Sequence, residues 1–203
     1  MLRTFVFLRP LWPPTLRDIE IALENKSYLS ALALSLTLPD ICGEIEYPHI
    51  KHKNGRRNVG KQYERWFDDW VNQYYADCTG WTNDYAKAKN PYFTGEMCYS
   101  LRCSFLHAGN LDIKEWGEKE DDDYCYSYEF KLGVSGADSF GSSYSDQIQN
   151  NFKVKKLETV TINIDKLCKY ICLSAERYYR EKGSNYFEEH NIHLIDFSRG
   201  FPQ

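Results

Sequence analysis

Apolar residues recur at helical spacing through the first part of the chain. The first such segment begins after Thr15, a good N-cap residue, and ends near Glu24. Its apolar positions are Leu16, Ile19, Ala22 and Leu23. A second segment begins at Tyr28, and Pro39 is expected to kink or restart it because proline cannot continue an uninterrupted helix.

Two further helices follow in the sequence. The first is predicted over 59–76 and carries an aromatic stripe that indicates a core or an interface. The residues of that stripe are Tyr63, Trp66, Phe67, Trp70 and Tyr74. The second is predicted to begin at Thr94, which can cap its first turn, and to stop near Gly109.

The pattern changes to period two after 118–123, which is expected to be an acidic loop. Apolar and polar residues alternate over 124–134, which predicts a half-buried strand, and a second strand is expected at about 157–163. The Gly- and Ser-rich segment 135–150 between them is predicted to be a flexible loop. We expect the strands to form a hairpin that covers the helices, followed by a helix that opens at Asp165. The predicted fold class is therefore mainly α, a helical bundle with a β-hairpin embellishment and a C-terminal helix.

The length of 203 residues suits one domain. We place it at 15–203, with the β insertion at about 124–163, and we expect residues 1–14 to be an irregular N-terminal leader because prolines interrupt them. The net charge of −4 gives no general attraction to nucleic acid, so contact with RNA requires a local basic patch.

The cysteines and the hydropathy favour a cytoplasmic protein. The 7 cysteines are scattered and form no Cys-x-x-Cys pair, which is typical of reduced thiols rather than of a disulfide framework or a zinc site. No apolar run approaches the roughly 20 residues that span a bilayer, and no signal peptide is evident. We expect no membrane association, no metal and, without a Gly-rich phosphate loop, no cofactor.

The candidate chemistry lies on the helix predicted from Thr94. Arg102 and His107 flank its core stripe about 140° apart on a helical wheel. The outer arc between them holds Tyr99, Cys103 and Leu106, so it lacks the polar residues of a solvated face. Because a helix that is apolar all round is covered all round, another segment or a second copy of the chain is expected over that arc.

The spacing of the two residues suggests a site shared between chains. Residues five apart on one straight helix do not face each other, so Arg102 and His107 are expected to make a poor pair within one chain. If two helices meet about a two-fold axis, Arg102 of one copy can approach His107 of the other.

Structural roles remain open for these residues. Arg102 can instead pair with Asp40 or Glu96, His107 can bond a carbonyl at the helix end, and Tyr99 can serve packing alone. The basic segment 49–57, which includes Arg56 and Arg57, is either a solvated connection or a phosphate-contact patch.

The sequence Arg102-x-x-x-x-His107 on the last helix of an apolar bundle resembles the Arg-x4–6-His signature of the HEPN superfamily. The run 28–43 is also similar to a helix of small bacterial HEPN proteins, and the resemblance covers roughly residues 15–110. The position after the arginine is often Asn or Asp in HEPN nucleases, and here it is Cys103.

The resemblance implies a homodimeric bundle whose dimer cleft cuts RNA without metal, as a toxin or anti-phage effector with a possible antitoxin partner. His107 would take the ribose 2′-hydroxyl proton or protonate the 5′ leaving oxygen, since imidazoles titrate near neutral pH. Arg102 would bind the scissile phosphate, with Tyr99, Arg56 and Arg57 as further substrate contacts. The expected products carry a 2′,3′-cyclic phosphate and a 5′-hydroxyl.

A second class of function is a non-catalytic HEPN-like dimerisation module that binds nucleotide or a partner protein. Cys103 and the acidic net charge favour it.

Overall fold

In a computed structural model of the chain, residues 12–76, 91–109, 111, 118–120, 124–145, 154–183 and 186–187 are described. These residues are mainly helical and include a small β-sheet. The α-helices are α1 (Trp12–Glu24), α2 (Tyr28–Ser35), α3 (Leu38–Glu46), α4 (Val59–Trp70), α5 (Gly95–Ala108) and α6 (Ile164–Lys182). A 3-10 helix at Asn72–Tyr75 follows α4. In the part of the chain described, no helix combines the length and the apolar character that crossing a membrane requires.

The helix boundaries agree with the sequence predictions except at the start of α1 and at the end of α4. Helix α1 begins at Trp12 rather than after Thr15, because Pro13 and Pro14 fit a first turn that needs no backbone N–H. Residues 12–14 of the expected irregular leader (1–14) are therefore helical, and residues 1–11 lie outside the described ranges. A new helix, α3, begins at Leu38 with Pro39 as its second residue, in agreement with the restart expected at this proline. The helix expected over 59–76 ends at Trp70 and tightens into the 3-10 turn.

The described residues form four strands, β1 (Glu118–Glu120), β2 (Tyr124–Gly133), β3 (Ser139–Ser145) and β4 (Val154–Asn163), in the sheet order β1-β2-β4-β3. Strand β1 lies in the segment expected to be an acidic loop, and that expectation is wrong for its three residues. Strands β2 and β4 are parallel, with Tyr124 opposite Val154 and Gly133 opposite Asn163. The expected hairpin of these two strands is therefore wrong.

The reason lies in the segment between them. Strand β3 forms inside the stretch expected to be a loop and pairs antiparallel with the other edge of β4. Residues 141–143 are glycine and serines that are exposed, so the sequence of β3 gives no clear apolar alternation. Phe140 of β3 stacks on Tyr92 with ring centroids 6.1 Å apart, in addition to the backbone pairing.

The core is built around α4 and α6. Aromatic side chains fill it, as the stripe on α4 predicts, and the fully buried ones among the described residues are Tyr63, Trp66, Phe67, Tyr75, Phe93, Tyr178 and Phe187. The ring of Tyr178 lies edge-on to Trp66 and Trp70, with centroids 5.9 Å and 5.0 Å apart. Such pairs are favourable because the positive edge of one ring meets the negative face of the other.

Helix α5 begins in direct contact with α4. A side chain at Gly95 would collide with the backbone of Glu64, so this position needs glycine for the close approach. Asp68 Oδ1 accepts a hydrogen bond from the Gly95 N–H at 2.7 Å, and Thr94 Oγ1 accepts one from the Met97 N–H at 3.3 Å. Gly109 ends the helix in a left-handed conformation, as the sequence predicts.

We predict that Gly95→Ala destabilises the protein by about 1–3 kcal/mol, because the added methyl group forces α5 away from α4. Urea unfolding followed by circular dichroism measures this change. Gly141→Ala is the control, since no atom of the described residues, apart from its chain neighbours, lies within 4 Å of the position that its added methyl group would occupy. Equal stability of the two variants would contradict the close contact of α4 and α5.

Candidate functional site

The carboxylate of Asp40 is the centre of the candidate site. Asp40 lies in the first turn of α3, and its Oδ1 is 2.6 Å from Arg57 Nη2 while its Oδ2 is 3.0 Å from Arg102 Nη2. The side chains of Asp40 and Arg102 are each 19% exposed, so water screens this pair less than a surface pair. One carboxylate thus joins α3, the segment before α4, and α5.

Arg57 has further partners in the same cluster. Its Nη1 lies 3.1 Å from Glu44 Oε2, and its Nε donates to Gln62 Oε1 at 2.6 Å. Its Nη2 also donates to the backbone carbonyl of Asp40 at 2.9 Å. Arg57 is therefore fixed by contacts within the chain and supports Asp40 from the side opposite Arg102.

Arg102 and His107 contact each other within one chain. Arg102 Nη1 lies 3.1 Å from His107 Nε2. A guanidinium only donates hydrogen bonds, so His107 accepts at Nε2, and its neutral ring then carries the proton on Nδ1.

The expectation that these two residues make a poor pair within one helix is therefore wrong. Five residues span about 7.5 Å along a helix, which the long arginine side chain covers. The rule that excludes such pairs describes neighbouring β-carbons and not the reach of a long side chain.

Helix α5 is buried at its start and exposed at its end. Cys98 and Leu101 are fully buried, whereas Leu106 is 37% exposed and His107 is also exposed. On the outer arc, Tyr99 and Cys103 are half-buried. The first half of the helix thus anchors it, and within the described part of the chain the last turn with His107 is open to solvent.

Tyr99 and Arg56 occupy different environments. The ring of Tyr99 packs 5.3 Å from that of Tyr63 and 6.0 Å from the Arg102 guanidinium carbon. Burial, followed by the neighbouring Cys103, raises the pKa of the Tyr99 hydroxyl. Arg56 is exposed in the connection between α3 and α4 and forms no ion pair with any residue that the structure describes. The structure thus groups Tyr99, Arg57 and Arg102, while Arg56 faces solvent.

The sequence did not predict that Asp40 pairs with both Arg57 and Arg102, or that Glu44 pairs with Arg57. It offered Asp40 as one alternative partner of Arg102, and the other, Glu96, is exposed and not bound to Arg102. The available signal was the spacing of Asp40 and Glu44, because acids four apart share a helix face and can meet one cation.

The arrangement can bind an anion beside a proton acceptor. The Nε of Arg102 is buried and bonds no described residue, while its two Nη atoms contact Asp40 and His107. A phosphate oxygen that approached the exposed end of α5 would meet the guanidinium next to the His107 ring, whose Nε2 lone pair accepts from Arg102. Among the described residues, no three His, Cys, Asp or Glu side chains converge as a metal-binding group.

We predict that Asp40→Ala lowers the free energy of unfolding by about 1–3 kcal/mol, since Arg57 and Arg102 lose their shared counter-ion in a partly buried site. Lys61→Ala removes the exposed pair with Glu64 and should cost under about 0.5 kcal/mol. Urea unfolding measures both values. A loss for Asp40→Ala no larger than for Lys61→Ala would show that the cluster contributes little.

Comparisons with known proteins add no family to this description. No family model, no curated protein and no solved structure matches the chain.

Proposed function

We propose that this protein is a metal-independent RNA endonuclease of HEPN-like fold that acts as a homodimer in the cytoplasm. The contact between Arg102 and His107 at the exposed end of α5 is the observation that carries the proposal. It joins a phosphate-binding group to a group that can move a proton, which are the two requirements for cleavage by the ribose 2′-hydroxyl.

His107 is proposed to act first as a base. In the free protein the Nε2 lone pair accepts from Arg102, and it becomes available when the guanidinium turns its Nη1 donor to the phosphate. The neutral Nε2 then takes the proton of the 2′-hydroxyl while that oxygen attacks the adjacent phosphorus. The bond from phosphorus to the 5′ oxygen breaks, and a protonated imidazole returns a proton to that oxygen. The products are a 2′,3′-cyclic phosphate and a 5′-hydroxyl.

Arg102 is proposed to bind the scissile phosphate. Asp40 fixes one edge of the guanidinium, so its remaining N–H groups are oriented before substrate binds. Donors that are already oriented stabilise the charge that builds on the phosphate without reorganisation during the reaction. Tyr99 and Arg57 line the same cluster, and Arg56 is proposed to contact RNA farther from the reaction.

A second copy is proposed to cover the last turn of α5. Leu106 is exposed there beside the half-buried Cys103, and two such surfaces would bury each other about a two-fold axis. The cleft between the two copies would then contain His107 of both chains, so that one histidine can act as base and the other as acid. A toxin or anti-phage role, with an antitoxin protein as a possible partner, is part of this proposal.

One observation favours a second candidate function, a non-catalytic dimerisation module that binds nucleotide or a partner protein. Asp40 already supplies Arg102 with a carboxylate, which competes with a phosphate for the same donors. Cys103 also lacks the polarity often found after the arginine in HEPN nucleases.

We predict that the purified protein cleaves total RNA in EDTA, and that Arg102→Ala and His107→Ala each lower the rate at least about 100-fold. Arg180→Ala, which removes an exposed arginine of α6, should leave the rate unchanged. Gel electrophoresis and analysis of the product ends measure the outcome. Products with a 3′-hydroxyl, or a strict need for a divalent metal, would rule out this mechanism, and no cleavage by any form would favour the module.

We also predict that Leu106→Glu weakens self-association more than about 100-fold, because a charge without a partner would be buried in the interface. Leu173→Glu changes a leucine of α6 that is 50% exposed and should have no effect. Sedimentation velocity over a range of protein concentrations measures both. A wild-type monomer at all concentrations, or equal effects of the two changes, would exclude the dimer through α5.

A further inference from the structure

The connection between α3 and α4 contains a short, ordered turn, which we call the basic hairpin (residues 51–57). Lys51 and Arg57 form an antiparallel bridge, and the His52 N–H donates to the Arg56 carbonyl at 2.8 Å. The Gly55 N–H donates to the His52 carbonyl at 2.9 Å, and Gly55 has a φ of 80°, which favours glycine. The backbone of the hairpin is thus fixed by its own hydrogen bonds.

The hairpin is also anchored to α4. Gln62, which is buried, donates from Nε2 to the carbonyls of Tyr47 at 2.7 Å and Ile50 at 3.2 Å, on the chain leading into the hairpin. The same side chain accepts from Arg57 Nε. Both ends of the basic hairpin are therefore held by one residue of the core.

The charges of the hairpin are unbalanced. It contains four cationic residues and no acid in a chain whose net charge is −4. Arg57 pairs with Asp40 and Glu44, but Lys51, Lys53 and Arg56 are exposed and have no acidic partner among the described residues. Cations on α4 differ in this respect, since Lys61 pairs with Glu64 and Arg65 with Asp69.

The hairpin adjoins the candidate site. Side chains of bridged residues lie on the same face of a β-ladder, so Lys51 shares the face from which Arg57 reaches Asp40. Asp40 in turn binds Arg102, which contacts His107. The hairpin is therefore connected through Arg57, Asp40 and Arg102 to His107 at the exposed end of α5.

We propose that the basic hairpin binds the phosphate backbone of single-stranded RNA next to the cleaved linkage, through Lys51, Lys53 and Arg56. This inference rests on the proposed nuclease function and assigns its substrate contacts beyond the scissile phosphate. Because the hairpin backbone is ordered before RNA arrives, binding does not require the further loss of backbone entropy in the hairpin. Phosphate contacts of this kind position the strand without reading its sequence.

The test measures binding separately from cleavage. Labelled 20-nucleotide oligouridylate is titrated with the His107→Ala protein at several salt concentrations, and fluorescence anisotropy gives the Kd. The test variant adds Lys51→Gln, Lys53→Gln and Arg56→Gln, and the control variant adds Arg17→Gln, Lys26→Gln and Arg180→Gln. The control residues are also exposed and are outside the hairpin, α3, α4 and α5. Because each variant replaces three cationic residues by glutamine, the two variants have equal net charge.

The hairpin variant should bind at least about ten-fold more weakly near 0.1 M salt, and its slope of log K against log salt should fall by about 2, as expected for three lost single-strand phosphate contacts. The control should match its parent. Equal binding by the two variants would overturn the proposal even if the wild type cleaves RNA, and hairpin-dependent binding would support it even if no cleavage occurs. Hairpin-dependent binding to phosphatidylserine vesicles without binding to RNA would also overturn it.

Discussion

The structure of the candidate site depends on one carboxylate shared by two guanidinium groups. Asp40 holds Arg57 on one side and Arg102 on the other, and both pairs are only partly accessible to water. Ion pairs at exposed surfaces add little to stability, but a carboxylate that separates two partly buried cations prevents their mutual repulsion as well. Asp40 therefore links α3, the basic hairpin and α5 at this end of the molecule.

Helix α5 combines two environments that serve different purposes. Its first half is fixed by the contact of Gly95 with α4, by the cap at Thr94 and by the burial of Leu101. Its last turn carries His107 into solvent, where Arg102 reaches it from within the packed region. A rigid start and an open end allow a proton-accepting group to be presented in a fixed place without burying it.

Sequence reasoning located the elements better than their arrangement. Thr94 and Gly109 marked the ends of α5 because helix caps are local, and the final helix, expected to open at Asp165, begins at Ile164 after the cap residue Asn163. The parallel pairing of β2 with β4 was not predictable, because alternation shows that a segment is a strand and does not identify its neighbour. Strand β3 was missed since glycine and serines predominate in it and the two aromatic residues, Phe140 and Tyr144, are too far apart to show an apolar period. For the candidate site, the residue types of Arg102 and His107 suggested the chemistry, but the helical wheel gave no information on the reach of the arginine. The pairing of Arg57 with Asp40 joins residues 17 positions apart, and only the folded chain brings them together.

The tautomer of the neutral His107 ring in the free protein, that is, which ring nitrogen carries the proton, tests the proposed site most directly. Two-dimensional NMR of the ¹⁵N-labelled imidazoles above neutral pH distinguishes the two neutral forms, and His107→Gln identifies the signal. We expect a proton on Nδ1 and a bare Nε2 that accepts from Arg102, with this preference lost in Arg102→Ala. A proton on Nε2 of His107 in the wild-type protein would contradict the contact on which the proposed chemistry depends.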